Sequence, residues 1–453
     1  MKNIKYLIGA LFVSTTILVG CGTENLNPAL EQDKIVEGSI KTDAELAGVL
    51  ANAYDRMTAS SYYGRDYIIY GEVRTDNVFA NGNSGRFQTP ATYTQTPSFA
   101  GIWTQAYRVI SNANIVIGQD AGSLGGDQAK IAHIKGQAYV VRALAHFDLV
   151  KAYGQQHTGG TLGVPYITKF KDPNNVYPSR ETVDQNKASI LADLQKGFDM
   201  MSNAFFDGSK TTINKYAAKA LESRVAVYFK MWPEAKLAAE AVINSGKYSI
   251  ISQSSYINSF AVDAAGNSIF ELANSSVDRL GSNSLGFIYK GSVYGDIEVL
   301  PNASNLYAAG DVRASVLGLE SGKMRNLKKY PALNGDDNTS LIRYEEVILN
   351  YAEALMETSG DALTQLNKIT AQRGAPALTG TVTKDIILEE RRKELIFEGF
   401  RFDDLMRTGK NITKIDSKQN ISATINYGDS KLAFPIPVSE LDANSNMIQN
   451  KGY

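Results

Sequence analysis

LEERRKELIFEGFRFDDLMRTGK, from Leu388 to Lys410, sets six carboxylates among six cationic side chains and a few large apolar ones. Thr383 is placed to cap a helix that starts just before it, and Gly399 can take the left-handed conformation that ends one near Glu398. On that helix Leu388, Arg392, Leu395 and Gly399 fall along one row, so an arginine is carried toward the apolar side. Arg391 and Glu394 are three apart and can pair. Glu394 and Glu398, four apart, repel unless a cation such as Arg401 or Arg407 lies between them. A charge taken into a packed interface must be paired or bear a large desolvation cost. Arg391, Arg392, Glu394, Glu398 and Arg401 therefore read as an internal ion-pair network.

The competing reading is a glycoside hydrolase, which needs two carboxylates flanking a cleft. Here the surrounding cations would lower the pKa of the acid, the opposite of what a general acid requires. Other chemistry is scarce. The histidines are His133, His146 and His157, and the first two are thirteen positions apart on one helix, no chelating spacing. HExxH, CxxC, G-x-S-x-G and GxxxxGK do not occur. Asn334 to Ser340, NGDDNTS, offers carboxylates to calcium but lacks the acidic residue at the twelfth loop position, so it reads as a turn. No metal, no cofactor and no catalysis are expected.

With 46 basic against 47 acidic residues, nothing in the net charge of -1 attracts a phosphate backbone, and nucleic acid is not an expected partner. The first twenty residues carry Lys2 and Lys5 ahead of an apolar run from Tyr6 to Val19, too short to span a bilayer. They lead into Leu18-Val19-Gly20-Cys21, which resembles a bacterial lipobox. Cys21 is the sole cysteine, without a disulfide partner, and the match implies that it is lipidated. Several acyl chains hold a protein firmly where one is marginal. Residues 21–41 then read as a polar tether, and 42–453 as a single domain.

Helical periodicity with alanine-bearing stripes runs through residues 99–119, 128–154, 214–231 and 343–358. Pro233 suits the first turn of a helix and Gly246 its end. Helix, tight turn, helix with inward alanines is the pattern of tetratricopeptide-like antiparallel pairs, although no fixed period carries through the chain. The expected fold is mainly α. Two stretches break it, about 60–98 and 250–340, both rich in Gly, Asn, Ser and Tyr, with β-prone runs at Ser268–Leu272 and Gly286–Tyr289. Long irregular segments inside a domain are often functional.

Taken in order, IWTQAYRVISNANIVI, YVVRALAHFDLVKAYG with GVPYI, IRYEEVILNYAEAL, LNKITAQRG, the charged stretch and the tail FPIPVSELDANSNMIQNKGY resemble the SusD/RagB outer-membrane lipoproteins. Lys451 stands where proline is common in that family, and the chain is short for it. The resemblance implies a tetratricopeptide-like scaffold with a loop-rich ligand face, anchored at the outer membrane and facing outward. It also implies a SusC-type TonB-dependent transporter as partner, polysaccharide utilisation as the setting, and capture without reaction. In the family the segment matching Glu72–Asn77, the loop after it and the mid-chain insertion border the pocket, which points to Asp76, Asn77, Arg86, Tyr93, Tyr289 and Tyr294 as ligand residues. Trp103 and Trp232 fall within scaffold helices. An oligosaccharide needs aromatic faces with polar groups around them; the RagB branch implies oligopeptide instead, and loops without tryptophan keep that alternative open.

Overall fold

In the computed structural model, residues 38–453 are described; the leader, Cys21 and most of the tether lie outside them. Thr42–Tyr453 forms one unit. Its elements in chain order are α1 (Asp43–Met57), α2 (Asp66–Val73), β1 (Val78–Ala80), α3 (Gln88–Thr92), α4 (Gly101–Gly118), α5 (Gln128–Tyr153), α6 (Val183–Met200), α7 (Lys215–Tyr228) and α8 (Trp232–Ile243). There follow β2 (Ser268–Leu272), α9 (Leu285–Tyr289), β3 (Ile297–Val299), α10 (Pro301–Ser304), β4 (Leu317–Glu320), β5 (Lys323–Asn326) and β6 (Thr339–Arg343). The chain closes with α11 (Tyr344–Glu357), α12 (Ala362–Arg373), α13 (Lys384–Leu395), α14 (Arg401–Arg407) and α15 (Val438–Ala443).

The scaffold is a succession of packed helix neighbours, with α4 on α5, α5 on α6, α7 on α8, α8 on α11 and α11 on α12. Small residues decide how closely they approach. A Cβ on Gly136 of α5 would lie 2.8 Å from the Gly197 carbonyl oxygen of α6, and one on Gly197 would lie 2.6 Å from that of Gly136. The two backbones therefore touch through their glycines. Ala138, Ala145, Ala217, Ala220, Ala226, Ala235 and Ala354 are buried at the other crossings. Thr42 and Asp127 cap α1 and α5 through their side chains, satisfying amides that have no partner in the first turn.

Both irregular stretches contain structure that their sequence patterns hide. DYIIYGEV forms α2, in which Asp66, Ile68, Ile69, Tyr70, Glu72 and Val73 are all buried. A helix covered on every side shows no stripe, which is why periodicity passes over it. Ser268–Leu272 is a strand, pairing antiparallel with β6, whereas the β-prone run Gly286–Tyr289 is helical. The β4–β5 hairpin turns through Ser321 and Gly322, both at positive φ as a two-residue turn requires.

Thr383 caps α13 as its sequence suggests, accepting from the Ile386 amide. The helix ends at Leu395, three residues earlier than the reading to Glu398, and Phe397 turns at φ 70°. Gly399, at φ 86°, then passes so close to α2 that a Cβ on Gly71 would lie 2.1 Å from its carbonyl oxygen. Glu72 accepts the Gly399 amide at 2.9 Å.

Candidate functional site

The two irregular stretches meet through β1 and β3, which pair antiparallel with Val78 opposite Val299 and Ala80 opposite Ile297. Beyond this short ladder the chain from Asn81 to Arg86 is stitched to residues 294–298. Asn81 Nδ2 donates to Gly295 O and to Glu298 Oε1, both at 2.8 Å. Asn83 Nδ2 donates to Tyr294 O at 2.5 Å, and the Ser84 amide to Asp296 Oδ1 at 3.1 Å. The result is a ledge. On it the Arg86 guanidinium lies over the Tyr294 ring, 4.7 Å from the centroid, and donates to Ser282 O at 3.1 Å. Tyr294 is 39 % exposed, and its ring meets the Phe287 ring edge-on at 4.8 Å.

Of the six residues expected to meet ligand, Arg86 and Tyr294 are thus brought together at the surface. Asp76 is half-buried and bound by arginines: Arg401 donates to it at 2.8 and 2.9 Å, and Arg392 lies at 3.3 Å. Burial raises its pKa, but the Arg401 and Arg392 charges outweigh burial and hold it below the usual carboxylate range. It opens, with Arg401, Lys410, Asn411 and Thr413, onto a separate cleft of about 430 Å³.

Asn77, Tyr93 and Tyr289 correct the expectation, because they face the interior. Asn77 donates to Glu72 Oε2 and accepts from Arg392 Nε, both at 2.7 Å. Tyr93 donates its hydroxyl to Arg74 O, and its ring, with those of Phe402 and Phe434, surrounds the Arg74 guanidinium at 4.7, 3.9 and 4.5 Å. Tyr289 stacks on Tyr330, with centroids 6.0 Å apart. The irregular segments wrap small cores of their own, so a tyrosine in a loop sequence is not thereby exposed.

Residues the sequence reading passed over also anchor the irregular stretches. The hydroxyls of Tyr62, Tyr63 and Tyr67 all donate to the buried Asp148 carboxylate, at 2.6, 2.7 and 2.6 Å. An aspartate inside the apolar run ALAHFDLV of α5 is the signal that could have found them, since a buried carboxylate demands donors. Asn81, Asn83, Ser84 and Asp296 carried no such signal. His146 is wholly buried, accepting from the Ile167 amide at 3.0 Å, and burial lowers its pKa to about 3.

Each of the five charged residues read as a network is ion-paired, but none with another of the five. Glu394 accepts from Arg373 at 2.9 Å on both oxygens and from Arg343 at 3.2 Å, and Arg313 lies at 3.7 Å. The cation between Glu394 and Glu398 is Arg343, at the end of β6, which donates to Glu398 at 2.8 and 2.9 Å; Arg401 and Arg407 are elsewhere. Arg391 takes Asp404 at 3.0 Å and Asn350 at 2.7 Å, so the pair with Glu394 suggested by spacing is not formed. Burial would raise the Glu394 pKa, yet Arg373, Arg343 and Arg313 drive it well below the usual range. Such a group holds its negative charge and cannot serve as a general acid at neutral pH.

Residues 28–227 match a SusD-like family described as starch-binding and associating with the outer membrane, and residues 289–453 match the SusD family. A SusD superfamily protein from Bacteroides thetaiotaomicron superposes with a TM-score of 0.83 at 30% identity, covering 90% of this chain and 99% of that one. The chain belongs to the SusD family. SusD-like protein P2 of Formosa agariphila is 25% identical over 99% of this chain and 100% of its own length. The starch-binding protein SusD of Bacteroides thetaiotaomicron is 32% identical over 135 residues, 29% of this chain and 24% of that one. The helix-rich SusD architecture is the mainly α fold that the repeated helix pairs predicted.

Proposed function

We propose that this SusD-family protein captures oligosaccharides at the outer face of the outer membrane, held there through lipid on Cys21. It passes them, unhydrolysed, to a SusC-type TonB-dependent transporter. The observation that carries the reading is the Arg86–Tyr294 ledge: an exposed ring beside a guanidinium and amides, on a support of hydrogen-bonded backbone. A pyranose offers an apolar C–H face and a rim of hydroxyls, which that combination matches. Membership in a family described as starch-binding and outer-membrane associated supports the same reading.

Oligopeptide capture, the RagB-type alternative, is favoured by one fact: neither tryptophan serves a loop. Trp103 is buried in α4, and Trp232 opens α8 with Lys384 over its ring. Titrating the protein with a panel of glycans and of peptides separates the two. We expect glycan binding that falls about tenfold or more in Tyr294→Ala. Binding of peptides alone would move the protein to the RagB branch, and appearance of shortened glycan products would reveal an enzyme.

A further inference from the structure

We infer that the ledge selects acidic oligosaccharides, with Arg86 receiving a carboxylate or sulfate ester while Tyr294 packs against the sugar ring; the inference rests on the glycan-capture reading. The argument begins with which charges face out. The acidic groups beside the ledge are already occupied, and Asp66, which feels the Arg86 charge, is taken by Arg65 at 2.6 Å. Asp296 is buried and takes the Ser84 amide, Glu298 takes Asn81 and Lys323, and Glu320 takes the Gly291 and Ser292 amides. Arg86 has no carboxylate within ion-pair distance among the described residues. Many of the other arginines hold a carboxylate, among them Arg313, Arg343, Arg373, Arg391, Arg401 and Arg407, while the buried Arg74 and Arg180 are held by backbone carbonyls instead.

Arg86 is nonetheless fixed. Its donation to Ser282 O and its seat on the Tyr294 ring hold the guanidinium plane, and no other hydrogen bond to protein engages its remaining N–H groups among the described residues. The segment it grips is held on its other side by Arg65, whose Nη1 donates to Asn283 Oδ1 at 2.5 Å, and Arg65 is already neutralised by Asp66 at 2.6 Å. A planar fork with no ion-pair partner and its rotamer set beforehand matches a planar carboxylate or a sulfate oxygen pair better than a neutral hydroxyl. Neutral sugars would leave that charge without an opposite.

The test uses the full mature chain in detergent and two matched pairs of ligands. One pair is oligogalacturonate and its carboxyl-reduced, neutral counterpart; the other is a sulfated galactan oligomer and its desulfated form. In each pair that binds, we expect the acidic member to bind about ten- to a hundredfold more tightly at low salt, with the advantage shrinking as salt screens the exposed charge. Arg86→Gln should abolish the advantage, and Arg86→Lys should keep part of it, because the charge remains without the fork. An unchanged thermal midpoint confirms that the variants fold. Preference within the uronate pair or within the sulfate pair names the acidic group. Equal binding of acidic and neutral members, or a preference that survives Arg86→Gln, overturns the inference while glycan capture stands. If no oligomer of either pair binds, the inference falls, and glycan capture is then judged on the wider panel.

Discussion

Glu394 has no exposed surface and receives hydrogen bonds from two guanidiniums with a third nearby, so its charge is bound into the last third of the chain as a fixed component. Removing that charge leaves Arg313, Arg343 and Arg373 under-compensated in a dry environment. Glu394→Gln should cost on the order of 3 to 5 kcal/mol, read as a lower midpoint in urea unfolding. A double-mutant cycle on Arg391 and Asp404 should show coupling, and one on Arg391 and Glu394 almost none. Comparable coupling in both would contradict the observed pairing. The charged stretch was legible as a network because buried charges must be paired. Its partners were not legible, because Arg343 comes from a strand and Arg373 from another helix, and spacing along one helix cannot see either. The same limit applies to Tyr93 and Tyr289. Composition marks them as loop aromatics, and only the packing of the loops against themselves places them inside.

Among the elements, helix pairing was read from alanine at helical spacing, and the α5–α6 crossing turns out to be made by glycine. Gly197→Ala should destabilise by about 1 to 3 kcal/mol, because the new methyl meets the Gly136 carbonyl and Val140 before any backbone can yield. Helix propensity alone predicts the opposite sign, a gain of up to about 1 kcal/mol. Gly48→Ala supplies the contrast: exposed in the middle of α1 with nothing within 4 Å, it should gain that amount. Calorimetric midpoints moving in the same direction for both would discard the packing argument. Periodicity exposed the amphipathic helices and missed α2, whose all-round burial erases the stripe that periodicity detects. The cap at Thr383 was legible, since it is set by local chemistry. The end of α13 was not, because close passage of Gly399 against α2 sets the turn there.

For the molecule as a whole, stability should fall in acid over a defined window. Burial raises the Glu353 pKa, but Arg407, Arg391 and Lys384 bring it down to about 2 from an ordinary 4.5. A carboxylate with a depressed native pKa contributes fully above its unfolded pKa and progressively less as pH falls through the native one. Glu394 and Glu398 act in the same direction. Glu72 and Asp403, raised by burial, act in the other and soften the loss. Unfolding free energy measured by urea titration should therefore decline from about pH 4.5 to about pH 2, and a flat profile would mean the ion pairs contribute little. Family and fold class were legible at this scale because several weak patterns agreed in order. The ledge was legible only as two unrelated loops.

That last point bears on how the protein is made. Val78 and Val299 are neighbours in the β1–β3 ladder, so the segment carrying Arg86 leaves the ribosome long before the one carrying Tyr294 exists to meet it. Contacts of such sequence separation form late, after the entropy of closing a long loop has been overcome. The chain can therefore begin its helical scaffold early while the Arg86–Tyr294 ledge is still open, and that ledge is complete only when synthesis has passed residue 299.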